Sequence, residues 1–168
     1  TGHAPVADQS HDALEYQAFV LKNATEMFRR FRSSNRRLSG VMPFTIIFHN
    51  WDGISSFTEM KPKPAAYQYG VSYQPVLLSW ENWNYNAYAG NSVSAVLHIV
   101  NDDDLFRDLD GAEVKWRLLA VDGRAVCSGG FSLPDIPYYG TYSTKLSIQL
   151  PQDLVTGNYT LEGQIFDD

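Results

Sequence analysis

The chain has 168 residues, 44% hydrophobic and 19% charged, a balance that describes a folded globular protein rather than a disordered one. Its net charge of −6 is uneven: residues 1–37 hold six Lys/Arg and four Asp/Glu, and residues 38–168 hold seven and fifteen. An acidic main body argues against nucleic acid or an anionic membrane as partner, because phosphate binding needs concentrated positive charge, and the single cysteine, Cys127, excludes an internal disulfide and a cysteine-cluster metal site.

Residues 1–10 carry Gly2, Pro5 and small polar side chains and read as irregular backbone. From Asp12 to Arg32, the apolar residues Tyr16, Phe19, Val20, Ala24, Met27, Phe28 and Phe31 recur at steps of three and four. That spacing predicts an α-helix with one apolar stripe, capped at its start by Ser10 or Asp12. The basic run Arg29, Arg30, Arg32, Arg36 and Arg37 then falls at the helix end, where cations complement exposed carbonyls, and reads as a solvated terminus.

After the loop Ser33–Gly40, the residues Val41, Met42, Phe44, Ile46, Ile47 and Phe48 are apolar in both alternating sets. This predicts a strand buried on both faces, as in a parallel sheet or an α/β barrel. It ends, without a turn, in His49, Asn50, Trp51 and Asp52. Pro62 and Pro64 suit the entry to a second, short helix near Pro64–Tyr73.

Beyond that helix, six short β-rich runs follow: Val76–Trp80, Ser92–Val100, Glu113–Val121, Ala125–Leu133, Thr144–Leu150 and Asn158–Phe166. Turn signals separate them, the clearest being Asp122-Gly123. Strands at this spacing predict an antiparallel sandwich of immunoglobulin type over residues 75–168. Such a sandwich has about seven strands, so the strand ending at Phe166 is expected to present an unpaired edge. A strand apolar on both faces with only two helices cannot make a domain, so residues 1–74 read as a partial α/β structure.

The stretch "LEYQAFVLKNATEMFRRFRSSNRRLSGVMPFTIIFHNWDG", followed by "KPKPAAY" and a β-sandwich, resembles the end of the catalytic barrel of family two glycoside hydrolases, the β-galactosidase, β-glucuronidase and β-mannosidase group. The resemblance implies a C-terminal segment of a retaining β-glycosidase: the helix–strand–helix end of a TIM barrel over residues 1–74, then an immunoglobulin-like β-sandwich over 75–168. Barrel active sites form at the carboxyl ends of the strands, so it also implies that Trp51, Asn50 and His49 face a carbohydrate substrate, the indole stacking on a sugar ring and the polar groups bonding its hydroxyls. The other reading of Trp51 and Asp52 is packing at the barrel rim and capping of the next turn.

Retaining glycosidases use two carboxyl groups about 5 Å apart, and the resemblance places both at the ends of barrel strands four and seven, upstream of Thr1. Glu15, Glu26 and Glu59 match neither position. The chain alone is therefore expected to be inactive, and any export signal of the parent is expected to lie outside it. No cofactor is implied. The expected partners are the sugar, bound through the parent, and the rest of the parent barrel or a second copy.

"WENWNYNAY" places Trp80, Trp83, Tyr85 and Tyr88 within nine residues where barrel should pass into sandwich. It reads as a platform for polysaccharide or as a wedge between domains, since aromatic residues dominate both. "IPYYGTY" (Ile136–Tyr142) is a second cluster of the same kind. "NDDDLFRDLDG" gathers five aspartates, but it lacks the ligand spacing and distal Glu of a calcium loop and reads as a solvated connection. The four histidines show no metal-ligand spacing. A carbohydrate- or protein-binding module without catalysis is the alternative function, and residues 14–67 are what such a module would not need.

Overall fold

The computed structural model describes residues 10–31, 40–42, 49–50 and 55–167. The chain divides into two compact units, Thr1–Gln74 and Pro75–Asp168.

In the first unit, helix α1 spans His11–Arg30, and the Ser10 side chain accepts the Ala13 N–H at its start. Strand β1, His49–Asn50, pairs antiparallel with β2, Lys61–Pro62. A 3₁₀ turn, Phe57–Glu59, lies between them, and helix α2, Pro64–Ser72, follows with proline in its first turn. Phe44–Phe48, the heart of the expected two-faced strand, lies outside the described residues; Val41 and Met42 have no regular structure.

The two helices pack through small residues. Ala18 of α1 and Ala65 of α2 are fully buried, with Leu21, Ala66 and Tyr69 against them. The rest of the buried face of α1 is polar: Thr25, Glu26 and Arg29. Lys22 Nζ lies 2.7 Å from Glu26 Oε1, and the Ser72 hydroxyl is 3.4 Å from the same oxygen. This corrects the sequence expectation for Arg29, which is 8% exposed, not solvated, and bonds the carbonyls that end α2 rather than those of its own helix. The apolar stripe faces outward: Tyr16 is 68% and Phe31 59% exposed, and Phe19, Val20 and Phe28 are also exposed. Close approach of two alanines and complementary polar groups selected the α1 face that meets α2, which left the apolar stripe over.

The second unit is a β-sandwich. One sheet holds β3 (Val76–Glu81), β4 (Ser92–Asn101) and β7 (Thr141–Gln149) in the order β3-β4-β7; the other holds β5 (Glu113–Ala120), β6 (Ala125–Ser132) and β8 (Tyr159–Phe166) in the order β6-β5-β8. All pairings are antiparallel. Alternation brings Leu97 and Ile99 of β4 and Val114 of β5 into one core with Leu109, Ala112, Leu133 and Ile136, and Val76, Leu78, Trp80, Phe131, Tyr142, Leu146 and Ile165 close it from both sheets. The Asp122-Gly123 turn joins β5 to β6, with Gly123 at φ +81 as a hairpin of that kind needs. Strand β8 pairs with β5 on one side and with no other strand among the described residues.

Glycine sets the spacing at the middle of the sandwich. Trp116 of β5 pairs with Gly129 of β6 on one side and Gly163 of β8 on the other. A methyl group on Gly163 would stand 2.9 Å from Leu78 Cδ1 and 3.1 Å from Trp80 Cζ2, in the opposite sheet. A methyl on Gly129 would stand 2.6 Å from the Trp116 ring. Three bulky side chains therefore share a layer that only glycine backbone leaves open.

Candidate functional site

Two regions carry the side chains that the sequence singles out. The first is the end of the short strand β1. Register sets His49 opposite Pro62 and Asn50 opposite Lys61, so backbone pairing fixes where the chain leaves the strand. Trp51 and Asp52 lie outside the described residues, as do the side chains of His49 and Asn50. The return from this point is held by Glu59, whose carboxylate accepts the Ser55 N–H at 2.9 Å and the Ser55 hydroxyl at 3.2 Å. Those bonds hold its carboxyl below the usual range. Glu59 is thus a turn-forming acid.

The second region is the aromatic segment after β3. Trp80 packs inward on the sandwich core, and its ring N–H is buried with no hydrogen-bond partner among the described residues. Trp83 and Tyr88 are largely open to solvent, at 80% and 82%, and Tyr85 is also exposed. Strand β3 ends at Glu81, and residues 82–88 have no regular structure. Glu81 organises the start of this segment: Oε1 accepts the Trp83 ring N–H at 2.7 Å, and Oε2 lies 2.9 Å from His98 Nε2 on the neighbouring strand. Of the four aromatic residues, Trp80 thus serves the core and the other three face solvent.

A third site emerges that the sequence pattern only half revealed. The loops 102–112 and 133–140, which carry the chain from one sheet to the other and back, are bound together at one end of the sandwich. Leu109 and Ile136 exchange both backbone hydrogen bonds at 2.9 Å. Asn101, fully buried, donates its side-chain amide to the carbonyls of Arg107 and Ile136 at 3.0 Å and accepts the Asp103 N–H at 3.1 Å. Asp103 in turn accepts the N–H groups of Leu105 and Arg107 and holds the Arg107 guanidinium at 2.8 and 3.0 Å. The Arg107 hydrogen bond drives its carboxyl far below the usual carboxylate range.

These loops display Phe106, Tyr138 and Tyr139. The Phe106 and Tyr138 rings meet edge to face at 5.1 Å, and Tyr139 lies tilted at 6.1 Å from Tyr138. Phe106 and Tyr139 both have left-handed backbone, φ 60 and 64. For a bulky side chain this costs roughly 1–3 kcal/mol and persists only where the surroundings impose it. The paired loops do so. "IPYYGTY" signalled half of this cluster; Phe106, some thirty residues earlier, was hidden in the acidic loop.

Among the described residues, no group of three or more His, Cys, Asp or Glu is placed to hold a metal ion, and no helix is long and apolar enough to cross a membrane. Burial pushes the Cys127 thiol up, so it stays protonated at neutral pH.

Fold and side chains together define a β-sandwich module preceded by a packed helix pair. No family model matches the sequence, and no curated protein does. Solved structures do match. A complex of an Amycolatopsis orientalis exo-chitosanase with PNP-β-D-glucosamine is 14% identical, covers 92% of this chain and gives a TM-score of 0.58. The crystal structure of the Amycolatopsis orientalis exo-chitosanase gives the same values. The chain spans 17% of the length of either. A candidate β-galactosidase of Bacteroides fragilis covers 56% of the chain at 12% identity, with a TM-score of 0.37 too low to bear on the fold. The likeness establishes the fold, a β-sandwich with two helices, and its neighbours include glycoside hydrolases.

Proposed function

We propose that the chain is a segment of a larger retaining β-glycosidase of the family two type, with residues 1–74 closing an (α/β)₈ barrel and residues 75–168 forming an immunoglobulin-like accessory sandwich. The observation that carries this reading is that the likeness to the exo-chitosanase extends over 92% of the chain and so includes helices as well as sandwich strands. A free-standing binding sandwich would have no use for the helix pair. The exposed aromatic stripe of α1 supports the same reading, because a barrel helix lays such a stripe on the strands it surrounds.

In this reading Trp51 stacks on the sugar, and His49 and Asn50 bond its hydroxyls from the end of strand eight. The catalytic carboxylates come from the rest of the parent. Trp83, Tyr85 and Tyr88 form the surface that the sandwich offers to neighbouring parts of the enzyme, as exposed aromatic residues do at domain interfaces.

The test is activity on aryl β-galactoside, β-glucuronide, β-mannoside and β-glucosaminide. Residues 1–168 should release no aryl alcohol, and a longer protein containing them should act on one of the four. In that longer protein, Trp51→Ala should lower kcat/KM by about one to two orders of magnitude, the scale of an aromatic contact of about 1–3 kcal/mol. An inactive longer protein would overturn the glycosidase reading. An unchanged kcat/KM with a lowered melting temperature would make Trp51 a packing residue.

A further inference from the structure

We infer that Glu81 and His98 form a proton-sensitive clamp on Trp83, which fixes the exposed indole in mildly acid solution and loosens it as His98 loses its charge. The clamp is a chain of three side chains from three places in the sequence. Glu81, the last residue of β3, accepts the Trp83 ring N–H on Oε1 at 2.7 Å and meets His98 Nε2 with Oε2 at 2.9 Å. A carboxylate has no proton to give, so Nε2 carries the hydrogen in that contact. Both oxygens of one carboxylate are thus engaged, one by each ring.

Trp83 depends on this bond for its position. At 80% exposure its ring has little packing to hold it. The backbone around it is held by the Asn84 N–H, which donates to Asn82 Oδ1 at 3.0 Å, so what remains adjustable is the side chain. Its orientation follows the Glu81 carboxylate, and the carboxylate follows His98.

Histidine is the side chain whose ordinary pKa, about 6.5, lies in the physiological range. When His98 is protonated, both ring nitrogens are donors and the contact with Glu81 is an ion pair in a half-buried setting. When it is neutral, the single ring proton can sit on either nitrogen, and the form with the proton on Nδ1 offers Glu81 no donor at Nε2. Glu81 then loses its second anchor, and Trp83 loses a fixed acceptor. Below about pH 4.3, the ordinary glutamate value, Glu81 takes up a proton and the clamp weakens from the other side. Seating of Trp83 is therefore greatest between the two values.

The other charged groups nearby are few. Strand register sets His98 between Ser79 of β3 and Ser143 of β7, and sets Glu81 and Lys145 on either side of Val96. Among the described residues of this sheet face, Lys145 is thus the charged neighbour besides Glu81, and its positive charge does not change between pH 4 and 8 at the ordinary lysine value of about 10.4. Segment 82–88 contains no charged residue. The device lies within the sandwich and does not depend on the glycosidase reading.

The experiment is nuclear magnetic resonance of the nitrogen-15-labelled 168-residue chain in dilute solution, following the indole N–H of Trp83, identified by its loss in Trp83→Phe. Its shift should titrate between about pH 5.5 and 8 with the same midpoint as the His98 ring protons. Its protection from exchange, referred to a free indole at each pH, should be severalfold higher at the acid end. The Trp116 indole, in the core, should stay constant. His98→Gln, which keeps an N–H for Glu81 but does not titrate, should hold the Trp83 signal constant over that range. Glu81→Gln, which keeps an oxygen for the indole, should abolish the link between the two rings. A Trp83 signal that does not move, one whose midpoint differs from that of His98, or one that titrates unchanged in His98→Gln would overturn the proposal. The comparison of midpoints is made in the unaltered chain, so it decides the matter even where a variant does not fold.

Discussion

Arg29, near the end of α1, donates from Nη1 to the carbonyl oxygen of Ser72 at 2.5 Å, and to that of Gln74 at 2.9 Å. A cation thereby terminates a helix that is not its own, meeting the negative end of α2 with a charge-assisted bond in a buried setting. Glu26, one turn earlier, keeps the local charge balanced through Lys22 and reaches Ser72 from its hydroxyl side.

Removing this side chain leaves two carbonyls without their donor. Arg29→Ala should destabilise the first unit by about 3 kcal/mol, within the range for losing a buried charged hydrogen-bond partner. Arg29→Lys should fall between, since an ammonium cannot reproduce the planar fork. Hydrogen exchange of the α2 amides reads this directly. Unchanged protection of α2 in Arg29→Ala would mean that the alanine contact alone holds the helices together.

Gly163→Ala should lower sandwich stability by about 1–3 kcal/mol, the usual cost of an added methyl in a packed core. The clash is with Leu78 and Trp80, so the cost should shrink when Leu78 is already Ala. A double-mutant cycle by urea unfolding measures that coupling. Additive effects would mean that β8 shifts away from the opposite sheet and that the layer is looser than the distances indicate.

The acid response of the loop end follows from Asp103. Its folded-state pKa is depressed, so its contribution to stability is fully present above the ordinary aspartate value of about 3.9. That contribution is lost progressively as pH falls from there to the lower folded value. The N–H groups of Leu105 and Arg107, both bonded to this carboxylate, should stay protected through the pH range where ordinary aspartates titrate. Asp103→Asn should remove the charged partner of Arg107 at every pH and flatten the acid dependence. Loss of protection already near pH 4 in the unaltered chain would contradict the tight Asp103–Arg107 pair.

Much of the sandwich was legible because each strand carries its own record of burial. The alternation around Leu97, Ile99 and Val114 marks the inward face, and Asp122-Gly123 marks a turn by local backbone need alone. The face that α1 buries was not legible. Periodicity reports where apolar residues lie, and here an Ala18–Ala65 approach with polar partners on α2 decided which side meets the neighbour. The same limit hid the loop site. Phe106 and Tyr138 come together only because Asn101 and the Leu109–Ile136 pair bind two loops that are distant in sequence, and Gly163 owes its role to side chains of another sheet. The expected sugar contacts at His49, Asn50 and Trp51 rest on the resemblance and stay with the proposal for the parent enzyme.

Helix α1 leaves an apolar stripe outward. Tyr16 and Phe19 stack with ring centres 6.4 Å apart, and with Val20, Phe28 and Phe31 they form a row of exposed apolar groups along the helix. In the proposed parent this row lies against barrel strands. Among the described residues nothing covers it, and the edge of β8 that pairs with no described strand adds open backbone groups. The chain should therefore associate as its concentration rises. Sedimentation equilibrium over about a hundredfold range should show masses above the 18.9 kDa of one chain. Charging the stripe with Phe19→Lys and Phe28→Lys should return it to a monomer without lowering the unfolding midpoint, because neither side chain is buried by α2. If the double variant still associates, the β8 edge is the contact. If the unaltered chain is a monomer throughout, the stripe is a solvated face and the barrel assignment of residues 1–74 loses its physical support.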